Sequence, residues 1–137
     1  MSRSYELLEH TADVGILARG ETCEEAFEAA AEGLAEILGA WFPGEGEERE
    51  LRIEAADVDA LLAAWLDELL YLAEAADAVF GDFHVDRVGQ RELSGRARLA
   101  PRAGRELDGQ HVKAATYHRL RVAEGEGGCE ARVYLDV

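Results

Sequence analysis

Apolar residues recur in two rhythms along the first forty positions. Tyr5-Glu6-Leu7-Leu8-Glu9 and Ile16-Leu17-Ala18-Arg19 read as short strands. Asp13 and Gly15, between them, favour a turn or a bulge. From Cys23 the spacing changes: Cys23, Phe27, Ala30, Leu34, Ile37 and Leu38 fall three or four residues apart, the single apolar stripe of a helix. Thr22-Cys23-Glu24-Glu25 is a capping box that starts this helix, and Gly39 is a suitable stop.

Beyond the Pro43-Gly44-Glu45-Gly46 loop, Glu47 to Ala55 alternates as a strand with Leu51, Ile53 and Ala55 on one side and a solvated acidic start. Asp57 can cap a second helix. Its apolar residues Val58, Leu61, Leu62, Trp65, Leu66, Leu69, Leu70 and Leu72 are too many for a narrow stripe, so the helix is expected to be central and largely buried, ending before Gly81. Phe83 to Val88 and Arg91 to Leu99 read as a hairpin through Gly89-Gln90, and Pro101 to Gln110 as polar loop. A strand from Lys113 to Val122 and a terminal strand from Glu130 to Val137 are joined through Glu124-Gly125-Glu126-Gly127-Gly128. Two helices with six or seven strands, joined mostly as hairpins, predict a single α+β domain over residues 1–137, a mostly antiparallel or mixed sheet packed with two main helices. A doubly wound fold is excluded because strand-helix alternation stops after residue 80.

A chain of 137 residues can bury roughly two-thirds of its unfolded surface without staples. Its 14 basic and 29 acidic residues leave a net charge of −15, a field that repels nucleic acid and suits a basic protein partner or a cation. Direct, tight nucleic-acid binding is not expected. No apolar run reaches the ~18 residues of a membrane span, and the sequence opens on a strand pattern without a signal region, so a cytoplasmic protein is expected. Cys23 and Cys129 fit no ligand spacing and are expected to be free thiols serving as small hydrophobes.

Candidate chemistry gathers in Val112-Lys113-Ala114-Ala115-Thr116-Tyr117-His118, where four polar or ionisable side chains interrupt a strand-like run that packing alone does not require. Alternation puts Lys113, Ala115 and Tyr117 on one face and Val112, Ala114, Thr116 and His118 on the other, unless a bulge intervenes. Lys113 could anchor a carboxylate network or contact a phosphate; the plainer alternative is a solvent-facing strand lysine. Asp136 and the carboxylate of Val137, one residue apart, are suited to a hard divalent ion, with Asp13 as a third oxygen ligand if the first and last strands are neighbours. A frayed terminus with a solvated aspartate is the structural alternative. His10 and His84 read as satisfied histidines rather than catalytic ones. No glycine-rich phosphate loop, CxxC, nucleophile elbow or HExxH is present.

Four blocks carry a resemblance to the archease family: His10-Thr11-Ala12-Asp13-Val14-Gly15, Trp65-Leu66-Asp67-Glu68-Leu69-Leu70-Tyr71-Leu72, Val112 to His118, and Leu135-Asp136-Val137. They follow one another in family order along the whole chain. The resemblance implies a helper protein rather than an enzyme, one that activates an RtcB-type tRNA-splicing RNA ligase by promoting its guanylylation and multiple turnover. A chaperone or modulator of a tRNA methyltransferase is the alternative it implies. It also implies a divalent metal, calcium or a catalytic ion, with the metal-binding aspartate at Asp13, terminal ligands at Asp136 and Val137, and the activating lysine at Lys113. The chain departs from the family before the Val-Lys-Ala run, where only Leu107-Asp108-Gly109-Gln110-His111 stands in place of a longer segment with another histidine.

A small metal-dependent hydrolase, with His10 as base beside Asp13, is a third reading, but no nucleophile or oxyanion signature accompanies it.

Overall fold

The computed structural model describes residues 3–9 and 13–137. Among them β1 (Ser4–Glu9) and β2 (Asp13–Gly20) lead into α1 (Cys23–Leu38), and β3 (Glu47–Glu54) leads into α2 (Val58–Ala75). The strands β4 (Ala78–Val88), β5 (Glu92–Pro101), β6 (Ala114–Gly125) and β7 (Gly128–Asp136) follow. Both helices begin where their caps dictate. Thr22 Oγ1 accepts the Glu25 backbone N–H at 3.2 Å, and Asp57 Oδ1 accepts that of Ala60 at 2.8 Å. Gly39, at φ 69°, closes α1 in the left-handed conformation that glycine adopts at least cost.

The α+β class expected from the sequence is the class observed, but the strands form two sheets rather than one. A four-stranded sheet has the order β1-β2-β7-β6 and a three-stranded sheet the order β3-β5-β4, with every ladder antiparallel. The β6–β7 hairpin takes β2 as its neighbour and the β4–β5 hairpin takes β3. The helices are buried against the inner faces, which present Ile16, Ala18, Val133 and Leu135 from one sheet and Leu51, Ile53, Val85 and Leu93 from the other. Trp65 is fully buried in α2, and its indole N–H donates to the Phe27 carbonyl of α1 at 3.0 Å, so the largest core side chain is also polar-satisfied.

Helix carboxylates close one edge of each sheet. On β4, the Val85 and Val88 N–H groups donate to Glu28 and Glu24 of α1 at 2.8 and 2.9 Å. On β6, those of Ala115 and Val122 donate to Asp67 and Asp59 of α2 at 2.8 and 2.7 Å. An edge strand otherwise exposes unpaired donors, and an acidic helix laid alongside satisfies them. Glu28, 6% exposed, is held as a buried charge by Arg3 at 2.5 Å as well as by the Val85 N–H.

Two expectations are corrected, and one loop boundary moves by a residue. Cys23 and Cys129 are joined in a disulfide, not free: β7 begins beside the first turn of α1, and their Cα atoms are 5.0 Å apart. No bulge falls at Asp13 to Gly15, because β2 stays in unbroken register with β7 from Asp13 onward. The segment from 101 to 110 begins within β5 and is tied down further on, where the Gln110 N–H donates to the Ile37 carbonyl at 2.8 Å. Its Gly109 backbone lies against Gly39, closely enough that a Cβ on Gly39 would stand 2.5 Å from Gly109 N.

Candidate functional site

Register brings the predicted residues together. Asp13 of β2 stands directly opposite Asp136 of β7, and Asp136 in turn stands opposite Ala114 of β6. The Lys113 backbone N–H donates to the Asp136 carbonyl at 2.8 Å. Asp13, Asp136 and Lys113 therefore meet at one end of the four-stranded sheet, and Val137 follows Asp136 with its side chain partly buried against the core. Lys113 is exposed and lies just before β6 rather than within a strand, as the sequence had suggested.

Alternation fixes the face. Val14, Ile16, Val133 and Leu135 turn toward the core, so Asp13 and Asp136 project from the outer face. Like charges directly opposite one another across an antiparallel pair are destabilising. The next row explains a glycine: Gly15 stands opposite Tyr134, and a Cβ there would approach the Tyr134 ring to 2.7 Å. Tyr134 in turn stands opposite Thr116 and is 7% exposed despite its place on the outer face.

Beside that ring β6 carries a bulge. The register jumps from Thr116↔Tyr134 to Arg121↔Arg132, so Tyr117 to Leu120 face Val133 alone. Arg119 takes φ 55°, a left-handed conformation uncommon for a side chain of its size. Its carbonyl accepts the Arg132 Nε–H at 3.0 Å, and the His118 ring lies 5.9 Å from that of Tyr134. The alternation expected through His118 thus holds only as far as Thr116. Tyr117 emerges 71% exposed.

The oxygen-only donor set of Asp13, Asp136 and the Val137 α-carboxylate suits a hard divalent cation such as calcium or magnesium. Among the described residues no group of three or more His, Cys, Asp or Glu side chains converges on a metal position. His10, Thr11 and Ala12 lie outside the described residues. His84 is not a core histidine: half-exposed, it sits on the three-stranded sheet with Nε2 3.0 Å from Asp86 and Nδ1 3.4 Å from Glu28. Sequence reasoning gave Asp67 no role, although it and Glu68 are the acidic pair within the apolar run of α2, and its carboxylate fixes β6 two residues after Lys113.

The archease protein family model matches residues 5–137. This chain belongs to that family. It is 36% identical over 141 residues to an archease of Methanosarcina mazei, with 98% of this chain and 97% of the relative covered. An archease of Thermococcus gammatolerans is 41% identical over 127 residues, with 88% of each covered. Among solved structures, that of Methanobacterium thermoautotrophicum protein 1598 shares 32% identity with a TM-score of 0.74, covering 97% of this chain and 98% of that one. A crystal structure of a Thermotoga maritima archease, described as a possible chaperone, gives a TM-score of 0.67 at 21% identity over 96% of each chain, a likeness of fold. No helix among the described residues is long and apolar enough to cross a membrane.

Proposed function

We propose that this archease is an accessory protein that activates an RtcB-type tRNA-splicing RNA ligase, promoting its guanylylation and multiple turnover. The observation that carries the reading is the like-charge pair Asp13 and Asp136, set face to face on an outer sheet surface beside Lys113. An arrangement that costs stability in the isolated fold fits a site made to meet positive charge.

In this reading Asp13, Asp136 and the α-carboxylate of Val137 hold a divalent cation, with water completing its shell. A cation so held supplies positive charge where negative charge develops during nucleotidyl transfer. Lys113, fixed through its backbone to Asp136, directs an ammonium group at a phosphate or carboxylate of the ligase. The chain's net charge of −15 favours encounter with a basic RNA-handling surface, chiefly through the association rate.

The test is multiple-turnover joining of a cleaved tRNA by the cognate ligase with GTP and a divalent metal, with this chain present at substoichiometric amounts. Stimulation by the wild type, lost in Asp13→Ala and Lys113→Ala, is the expected result. Equal stimulation by both variants would reject the site. A second reading is a chaperone role without a share in chemistry, the words used for the Thermotoga maritima relative being a possible chaperone, with a tRNA methyltransferase as the client that the family resemblance implies. That reading predicts an effect on the methyltransferase that survives chelation of the metal, and no effect on a competent ligase.

A further inference from the structure

We propose that Tyr71 and Tyr117, with the neighbouring Lys113, form the surface on which this chain seats against its ligase, an inference that rests on the function proposed above. Among the described residues the exposed large hydrophobics are Leu7, at 39%, and the two tyrosines, at 64% and 71%. Single exposed apolar residues are ordinary; two tyrosines brought to one site by different elements are less so. Tyrosine is also among the residues that most often carry binding energy at protein interfaces.

Their placement follows from the α2–β6 junction. Asp67 accepts the Ala115 N–H and Asp59 accepts that of Val122, so helix and strand run antiparallel. Tyr71 lies one helical turn beyond Asp67 on the same face, and thus beside the stretch that leads into Lys113. Tyr117 lies two residues beyond Ala115 on the other side of the junction, in the bulge. Ala114, between Lys113 and Ala115, is the residue opposite Asp136. The two tyrosines therefore stand at successive levels along β6, Tyr71 beside the approach to Lys113 and Tyr117 past Ala115, near the segment that pairs with the carboxylate row.

Core packing explains neither exposure. Tyr117 sits in a bulge with an uncommon backbone conformation at Arg119, and bulges re-aim side chains beside functional sites. Beside the last turns of α2, a cleft of about 330 Å3 is lined by the apolar Leu70, Ala73 and Val112 together with Glu74, Asp77 and Arg102. It offers room for one apolar anchor from a partner, and Val112 in its wall immediately precedes Lys113 in the chain. The occupant that fits is a folded protein with a basic surface, carrying planar or apolar side chains to meet the tyrosine rings. The carboxylate pair and the chain's net charge of −15 supply the complementary sign.

The experiment compares wild type, Tyr71→Ser, Tyr117→Ser and the double variant, all with Val137 as the last residue. Affinity for the purified cognate ligase is read by titration calorimetry alongside the joining assay, with Glu126→Gln in the distant hairpin as control. Each single variant is expected to bind about tenfold more weakly and the double variant about a hundredfold, with unchanged thermal melts. Raising the concentration of the double variant should restore joining, whereas the same excess of Asp13→Ala should not.

A double variant that binds within twofold of wild type overturns the proposal while leaving the ligase reading standing. A wild-type chain that neither binds nor stimulates a competent ligase overturns both. Variants that dissociate a self-assembly while keeping full ligase affinity would give the face to a second copy of this chain, and also overturn the proposal.

Discussion

The Asp67 carboxylate of α2 accepts the backbone N–H of Ala115 at 2.8 Å, where β6 has no neighbouring strand. The bond sets the height of the strand against the helix, and Lys113 lies two residues before it. Asp67→Ala leaves the Ala115 donor unsatisfied in a partly buried position. A loss of about 1–3 kcal/mol is expected in urea unfolding, with reduced ligase stimulation because Lys113 loses its support. Asp67→Asn keeps an acceptor oxygen and should recover most of the stability. Equal losses for both variants would mean that charge, rather than the bond, is what matters at this position.

Much of this arrangement is legible in the sequence, for identifiable reasons. The caps at Thr22 and Asp57 are local, and their helices begin where those residues place them. The carboxylates at Asp13 and Asp136 could be named from their residue types and from the family blocks, but their meeting depends on β2 pairing with β7, a contact between the two ends of the chain. A bulge in the Val112 to His118 run could be allowed for but not placed at Tyr117 to Leu120, because alternation carries no sign of an extra segment until the partner strand is known. Asp67 escaped for a related reason. A carboxylate that satisfies a strand edge looks, in sequence, like any charge on an exposed helix face.

Cys23 and Cys129 were misjudged because 106 residues separate them, and only the placement of β7 against α1 brings them together. Long separation is also what makes the link valuable, since it removes more freedom from the unfolded chain; closing a loop of this order is worth about 4–5 kcal/mol in the chain-entropy account. Thermal melts with and without a thiol reductant should differ accordingly, with the reduced protein the less stable. A Cys23→Ser, Cys129→Ser variant should melt close to the reduced wild type. Identical melts for oxidised and reduced wild type would show that the link adds no stability.

Glu32 shifts the balance with pH. Burial raises its pKa above the ordinary value of 4.5; Arg3, 2.5 Å away, opposes the shift, and Glu28 and Asp82 add to it. Because the folded value is the higher one, the proton is held more tightly by the native state. The stabilising contribution is complete below 4.5 and is lost as pH rises through the raised folded value. Glu32→Gln stays neutral throughout and can still accept from Arg3. Urea midpoints of variant and wild type should therefore converge in acid, with the variant gaining relative to wild type toward neutral pH. A variant that instead falls further behind wild type as pH rises would reverse the sign and make the Arg3 pair the dominant influence.

Asp13 and Asp136 offer the clearest separation of stability from function. Facing carboxylates across an antiparallel pair repel by roughly 0.2–1 kcal/mol. In chelator, Asp13→Asn should thus be slightly more stable than wild type, raising the melting temperature by about 1–3 °C for a chain of this size. Adding calcium or magnesium should reverse the order: wild type gains stability with cation concentration because binding favours the folded state, and the variant gains little. Asp136→Asn should follow the same pattern, since each carboxylate removes the same repulsion and the same ligand. A wild type whose melt ignores both cations while Asp13→Asn remains more stable would leave the repulsion in place but assign the pair to a positively charged partner group instead of a metal.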